Sequence, residues 1–228
     1  MSDYQKVVEF NKAFDFPQFN DFTDKFTLNL RLSLIEEELG ELTEAYNNKD
    51  HVEEQDACAD ILYVAYGMAW TYKKDSDEYF KCYKSDHALT LFQNINKKFI
   101  KIKDKFEILN LLNQNFEKLK NECTNNNNDD WLISLYKLII LVYEFQVVAG
   151  YDSDRIFTIV HESNMSKLCT SEAEAKLTVE KYEKDFMAGK SLYDSPYYYP
   201  LDTGLYVVKN KSTGKALKSI NYRQVKLN

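Results

Sequence analysis

The sequence predicts an all-α fold with a short β-hairpin tail. Three observations carry that expectation. The 228 residues include only six glycines and three prolines, too few for a turn-rich all-β chain. Apolar residues recur three and four apart over most of the length, the period of a helix with one buried face. After about residue 190 the pattern changes to short β-branched runs around turn residues. We expect one helical domain over 1–228, with a helical insertion at 74–130 and a hairpin tail at 190–228.

The first helix is read in "DYQKVVEFNKAF", where Val7, Phe10 and Phe14 share a face, and it stops before Pro17. A loop to about 25 leads into a second helix over 26–47, which closes at "NNKD". The third starts near Val52 and runs through "DACADILYVAYGMAW" to Tyr72, making a helix hairpin with the second. From 74 to 130 a Lys/Asn-rich segment places Phe92, Ile95, Phe99, Ile102 and Phe106 on one long amphipathic helix, broken by "NNNNDD". "WLISLYKLIILVYEFQVVAG" is a further helix ending at Gly150, and Asp152 or Ser153 caps the next, through "DRIFTIVHESNMSKL". One more helix covers "SEAEAKLTVEKYEKDF", and "LYVVKNKSTGKALKS" reads as a hairpin turning at "KSTG".

The net charge of −7 and pI near 5.1 exclude a nucleic-acid groove, which needs clustered Lys and Arg. No signal peptide opens the chain and the longest apolar run, "LIILVY", is too short to span a bilayer, so a soluble cytoplasmic protein is expected. Cys58, Cys82, Cys123 and Cys169 lack CxxC spacing and are expected as reduced thiols.

The stretch "LIEEELGELTEA" is the unusual feature, with five glutamates in nine positions. On a helical wheel Leu30, Leu34, Ile35, Leu42 and Ala45 form one apolar arc. Glu38 falls inside that arc, Glu41 at its edge, Glu37 and Glu44 further out, and Glu36 toward solvent. A carboxylate directed into a core needs a cation or a proton. On the third helix Asp60, with Asp56 one turn earlier, borders the arc of Ala57, Ile61, Val64 and Met68, so two acidic helices face one seam. Carboxylates three or four residues apart on facing helices suit a hard divalent cation. Di-iron bundles need Glu-x-x-His pairs, and His51, His87 and His161 form none.

With these residues in place, "LIEEELGELTEA" followed by "DACADILYVAYG" resembles the all-α nucleoside triphosphate pyrophosphohydrolases, the MazG-like and phosphoribosyl-ATP pyrophosphohydrolase-like superfamily. "VVEFNKAFDFP", "IFTIVHESNMSK" and "GKALKSINY" extend the resemblance over most of the chain outside 74–130. It implies a MazG-like helical bundle, a homodimer or homotetramer, and cleavage of a nucleoside triphosphate between its α- and β-phosphates with Mg²⁺ or, alternatively, Mn²⁺. Glu37, Glu38 and Glu41 match the family's EExxE and Asp60 the aspartate of its ExxD; Ala57 stands where that motif's glutamate belongs, and Asp56 is the nearest substitute. The resemblance thus assigns Glu38, Glu41, Asp56 and Asp60 to metal and Glu37 to orienting or deprotonating the water. Asn164, in an apolar arc of Ile156, Phe157, Val160 and Leu168, and Lys167 are expected at the substrate, with Lys215 and Lys218 reaching phosphates from the tail. The alternative is a catalytically silent helical dimer that binds nucleotides or partners, a reading that Ala57 favours.

Overall fold

A computed structural model of the chain describes residues 1–84, 104–125 and 130–227. Among them are eight helices and one two-stranded antiparallel sheet, the all-α fold with a hairpin tail that the sequence predicts. The helices are α1 (Asp3–Ala13), α2 (Lys25–Asn48), α3 (His51–Thr71), α4 (Ser76–Lys84), α5 (Lys105–Asn125), α6 (Asp130–Ala149), α7 (Ser153–Met165) and α8 (Glu172–Met187). The strands are β1 (Pro196–Pro200) and β2 (Tyr206–Asn210). The chain packs as two compact units, one comprising residues 1–8, 16–158 and Leu227, the other 9–15 and 159–226.

In the first unit, α2 and α3 form a tight antiparallel pair because the cap of one runs directly into the cap of the next. Asp24 caps α2 by accepting from the backbone N–H groups of Phe26 (3.1 Å) and Thr27 (3.3 Å). Lys49 ends it in the left-handed region, with φ 57°. Asp50 then opens α3 by accepting from Val52 and Glu53. The buried face of α2 consists of Leu28, Leu32, Ile35, Leu39, Leu42 and Ala45, whereas Leu30, expected in the apolar arc, is 45 % exposed. Each buried leucine is worth roughly 1.5–3 kcal/mol of transfer free energy. α3 is buried almost all round, from Ala57 through Trp70, and packs against α6 as well as α2.

α6 is long and apolar enough to cross a membrane by length and composition, the one such helix among the described residues. Its Leu135, Leu138, Ile139, Val142 and Phe145 are buried against the rest of this unit, while Ile133, Val147 and Val148 are exposed. α5 lies along it with Leu109, Leu112, Phe116 and Leu119 buried. Residues 104–125 of the expected insertion therefore supply part of this unit's core. Phe106 is 54 % exposed rather than on the buried stripe, and Phe92, Ile95, Phe99 and Ile102 lie outside the described residues.

The second unit gathers Cys169, Ala175, Val208 and Leu217 into a small core, flanked by Tyr182, Tyr193, Tyr198 and Tyr206. Ser171 caps α8 by accepting from the Glu174 N–H, and Glu174 reaches back to accept from the Thr170 N–H, a reciprocal box. The hairpin is in the tail, but its strands differ from the expected pair. "YVVKN" is the second strand and pairs with "PYYYP", register Pro196↔Asn210 to Pro200↔Tyr206. Prolines at both ends of β1 disguise it as loop, although an edge strand tolerates them at its first position and border. "KSTG" makes a turn that returns Ala216 beside Lys209 as an isolated bridge, held by Leu217 N–H donating to the Val208 carbonyl (2.8 Å). Cys58, Cys123 and Cys169 are buried free thiols, while the Cys82 side chain falls outside the described residues.

Candidate active site

The tight α2–α3 link sets two acidic rows against each other. Glu38 is partly buried, and its carboxyl is pushed up to about 8 by that burial first, then by Asp60, Glu41, Glu37 and Asp56. Four other carboxylates therefore crowd one half-buried one. Glu41, exposed, is raised by desolvation and by Glu37, Glu53 and Glu44. Asp56 is raised by burial, Glu53 and Glu41, and its Oδ1 is buried without a hydrogen-bond partner. Asp60 is partly buried, and Glu37 is exposed at the rim. Glu36 points outward to an ion pair with Lys120 at 2.9 Å, as the wheel requires.

The structure thus places Glu37, Glu38, Glu41, Asp56 and Asp60 at one seam. It also adds Glu53, which acts on both Glu41 and Asp56. A sequence signal existed, since Glu53, Asp56 and Asp60 stand at i, i+3 and i+7, one stripe of a helix. The donor set is all oxygen, carries excess negative charge and includes an unmatched buried carboxylate oxygen, the chemistry that suits a hard divalent cation. Among the described residues no three acidic, His or Cys side chains converge on one point closely enough to hold a metal ion as they stand. Rotation of the long glutamate side chains about their χ angles would be needed to close the set.

Glu54, also missed by sequence reasoning, faces the other way and is fully buried. Burial alone would raise its carboxyl, but hydrogen bonds from Lys105 and Tyr151 outweigh that and hold it below the ordinary range. Lys105 Nζ lies 2.8 and 2.6 Å from its two oxygens, Tyr151 donates to Oε2, and His51 Nδ1 is 3.4 Å away. This ion pair ties the first turn of α3, and with it Asp56, to α5 and to the loop after α6.

The remaining expected residues belong to the second unit. Lys167 Nζ donates to Asn164 Oδ1 at 2.5 Å and sits over the Phe10 ring. Asn164 is only partly buried; its neighbour Ser163 is buried and donates to the Arg223 carbonyl at 2.8 Å. His161 is 7 % exposed and pairs with Glu9 at 3.4 Å. Lys215 and Lys218 are exposed and lie over Tyr193 and Tyr222, 5.8 and 4.4 Å from the ring centres.

The family model described as phosphoribosyl-ATP pyrophosphohydrolase matches residues 7–82, a span that holds both acidic helices. An uncharacterised protein of Acanthamoeba polyphaga mimivirus is 34 % identical over 240 residues, covering 96 % of this chain and 91 % of that protein. No solved structure matches the chain. Residues 7–82, with both acidic helices, thus form a domain of the MazG-like and phosphoribosyl-ATP pyrophosphohydrolase-like superfamily.

Proposed function

We infer that the protein is a Mg²⁺-dependent nucleoside triphosphate pyrophosphohydrolase, converting an NTP or dNTP and water into the monophosphate and pyrophosphate. The observation that carries this reading is the Glu38 carboxyl, half-buried and crowded by Glu37, Glu41, Asp56 and Asp60. An acidic seam repels a polyphosphate unless cations intervene, so the same carboxylates that give the chain its negative charge become useful only with a divalent ion. Glu38, Glu41, Asp56 and Asp60 would hold it. When bound, Mg²⁺ supplies charge neutralisation of the phosphate oxygens and a more acidic water.

The protein's own groups account for the rest. Glu37, exposed at the rim, accepts the proton of the attacking water as the water oxygen bonds to phosphorus and the α–β anhydride bond breaks, the electron pair leaving with pyrophosphate. The Glu54–Lys105 pair holds the start of α3 so that Asp56 and Asp60 keep their place opposite α2. In the second unit, Asn164, Lys167, Lys215 and Lys218 are donor groups of the type that binds phosphate oxygens, and we assign them to the substrate on that chemistry. A house-cleaning role on the nucleotide pool, a homo-oligomer and a cytoplasmic location complete the reading.

The second reading, a silent helical dimer that binds nucleotides, is favoured by Ala57 in place of an acid and by side chains that do not close on one point. Pyrophosphate release measured over a panel of nucleoside triphosphates, with and without Mg²⁺, separates the two. Turnover that needs the cation supports the enzyme; nucleotide binding without turnover supports the silent form.

A further inference from the structure

Charge is unevenly spread along the chain. Residues 203–228 contain six Lys and Arg and no Asp or Glu, in a protein whose net charge is −7. Lys209 is buried, whereas Lys211, Lys215, Lys218, Arg223 and Lys226 are exposed. The lysines of α8 find acids on their own helix, Lys176 with Glu172 and Lys181 with Asp185. The five exposed tail cations have no such ion pair among the described residues. Two of them are tied into one row with tyrosines. Lys215 Nζ lies 5.8 Å from the Tyr193 ring centre, and Tyr193 meets Tyr182 at 5.8 Å. The Tyr182 hydroxyl accepts from the Lys218 N–H at 3.2 Å, and Lys218 Nζ lies 4.4 Å from the Tyr222 ring centre. Arg223 follows, its N–H donating to Ser166 Oγ at 2.9 Å. At the other end a short turn, closed by the Asn210 N–H donating to the Lys215 carbonyl at 2.9 Å, carries both Lys211 and Lys215. Cations and rings therefore alternate along one surface of the second unit.

Like charges gathered without acids repel one another, and a polyanion relieves that repulsion. A single-stranded nucleic acid supplies a phosphate at every nucleotide for the cations and a base for the ring faces. An ammonium resting on a solvent-exposed ring is held weakly, so a phosphate oxygen draws it away and leaves the ring face to a base. We propose that residues 211–226, together with Tyr182 and Tyr193, form a surface that binds single-stranded nucleic acid through its backbone and stacked bases, without reading sequence. Tyr182 and Tyr193 pack against the small core of this unit and cannot leave it to enter a bilayer, which makes a lipid surface the poorer match. The net charge of the whole chain, which argues against a nucleic-acid groove, averages this local excess away. Lys215 and Lys218 are the donors assigned above to a triphosphate, and a phosphodiester chain offers them the same oxygens. Lys211, Arg223 and Lys226 have no part in the hydrolase reading, so the strand surface goes beyond it.

Fluorescence anisotropy with a labelled oligouridylate of about twelve nucleotides tests this whether or not any triphosphate turns over. The wild type should bind it, with a log–log salt slope of roughly −3, since each cation on a single strand contributes about −0.7. A triple variant carrying Lys211→Glu, Arg223→Glu and Lys226→Glu, all at exposed positions, should bind at least tenfold more weakly at the same salt and keep the wild-type melting temperature and rate of triphosphate turnover. Tyr222→Leu should weaken binding at least fivefold, and Tyr222→Phe should not. No binding at low salt, unchanged affinity in the triple variant, or competition by polyglutamate or duplex DNA equal to that by the unlabelled strand overturns the proposal. Capture by phosphatidylserine vesicles in place of the strand also overturns it. So does a fall in triphosphate turnover that tracks the loss of strand binding, which would make these residues part of the substrate site.

Discussion

Glu38 on α2 faces Asp60 on α3, and after burial itself the Asp60 charge is the strongest influence raising the Glu38 carboxyl. A carboxyl whose ionisation is disfavoured by burial and by a facing acid is costly to the fold, and the cost is offset when a cation joins the pair.

Glu38→Gln and Glu41→Gln should each lower pyrophosphate release by about a hundredfold or more, since a lost ligand removes several kcal/mol of transition-state charge stabilisation. Circular dichroism should be unchanged. Turnover near the wild-type value in either variant would remove that residue from the cation set.

The Glu38 shift has a stability signature with a definite sign. Its carboxyl ionises at about 8 in the fold against an ordinary value of 4.5, so between those values the native state holds a proton that the unfolded chain has lost. This group's favourable contribution is full below about 4.5 and is lost as pH rises through about 8. In EDTA the wild-type melting temperature should fall relative to that of Glu38→Gln across this window, and Mg²⁺ should recover the loss at pH 8. Parallel curves for the two proteins would argue against a crowded carboxylate.

Asp56 has a buried carboxylate oxygen with no partner, one turn before Asp60. Asp56→Asn should shift the Mg²⁺ or Mn²⁺ activation midpoint upward by roughly tenfold, the effect of about 1.4 kcal/mol of lost binding. An unchanged midpoint with lower thermal stability would instead make Asp56 a helix-end charge.

Lys105→Met leaves Glu54 buried without its counter-ion, and breaking such a pair typically costs ~3–5 kcal/mol. Denaturant unfolding should report a loss of that order, with partial recovery in Lys105→Arg. A variant as stable as the wild type would show that Tyr151 and His51 suffice for Glu54.

Glu38 was legible in the sequence because a helix wheel needs only local spacing, and the α2–α3 hairpin was legible because "NNKD" breaks the apolar pattern between two helical runs. The wheel erred on Leu30, since the buried face is set by what α2 packs against. Glu54 could not be assigned, because its partners Lys105 and Tyr151 are distant in sequence and meet only in the packed unit. Glu53 was readable and overlooked, three residues before Asp56 on the same stripe.

Phosphorus NMR of the products formed from a nucleoside triphosphate, wild type against Glu38→Gln in the presence of Mg²⁺, tests the central claim most directly. The acidic seam predicts the monophosphate and pyrophosphate in equal amounts from the wild type and almost none from the variant. Diphosphate and inorganic phosphate as products, no turnover of any triphosphate, or equal turnover by the two proteins would contradict it.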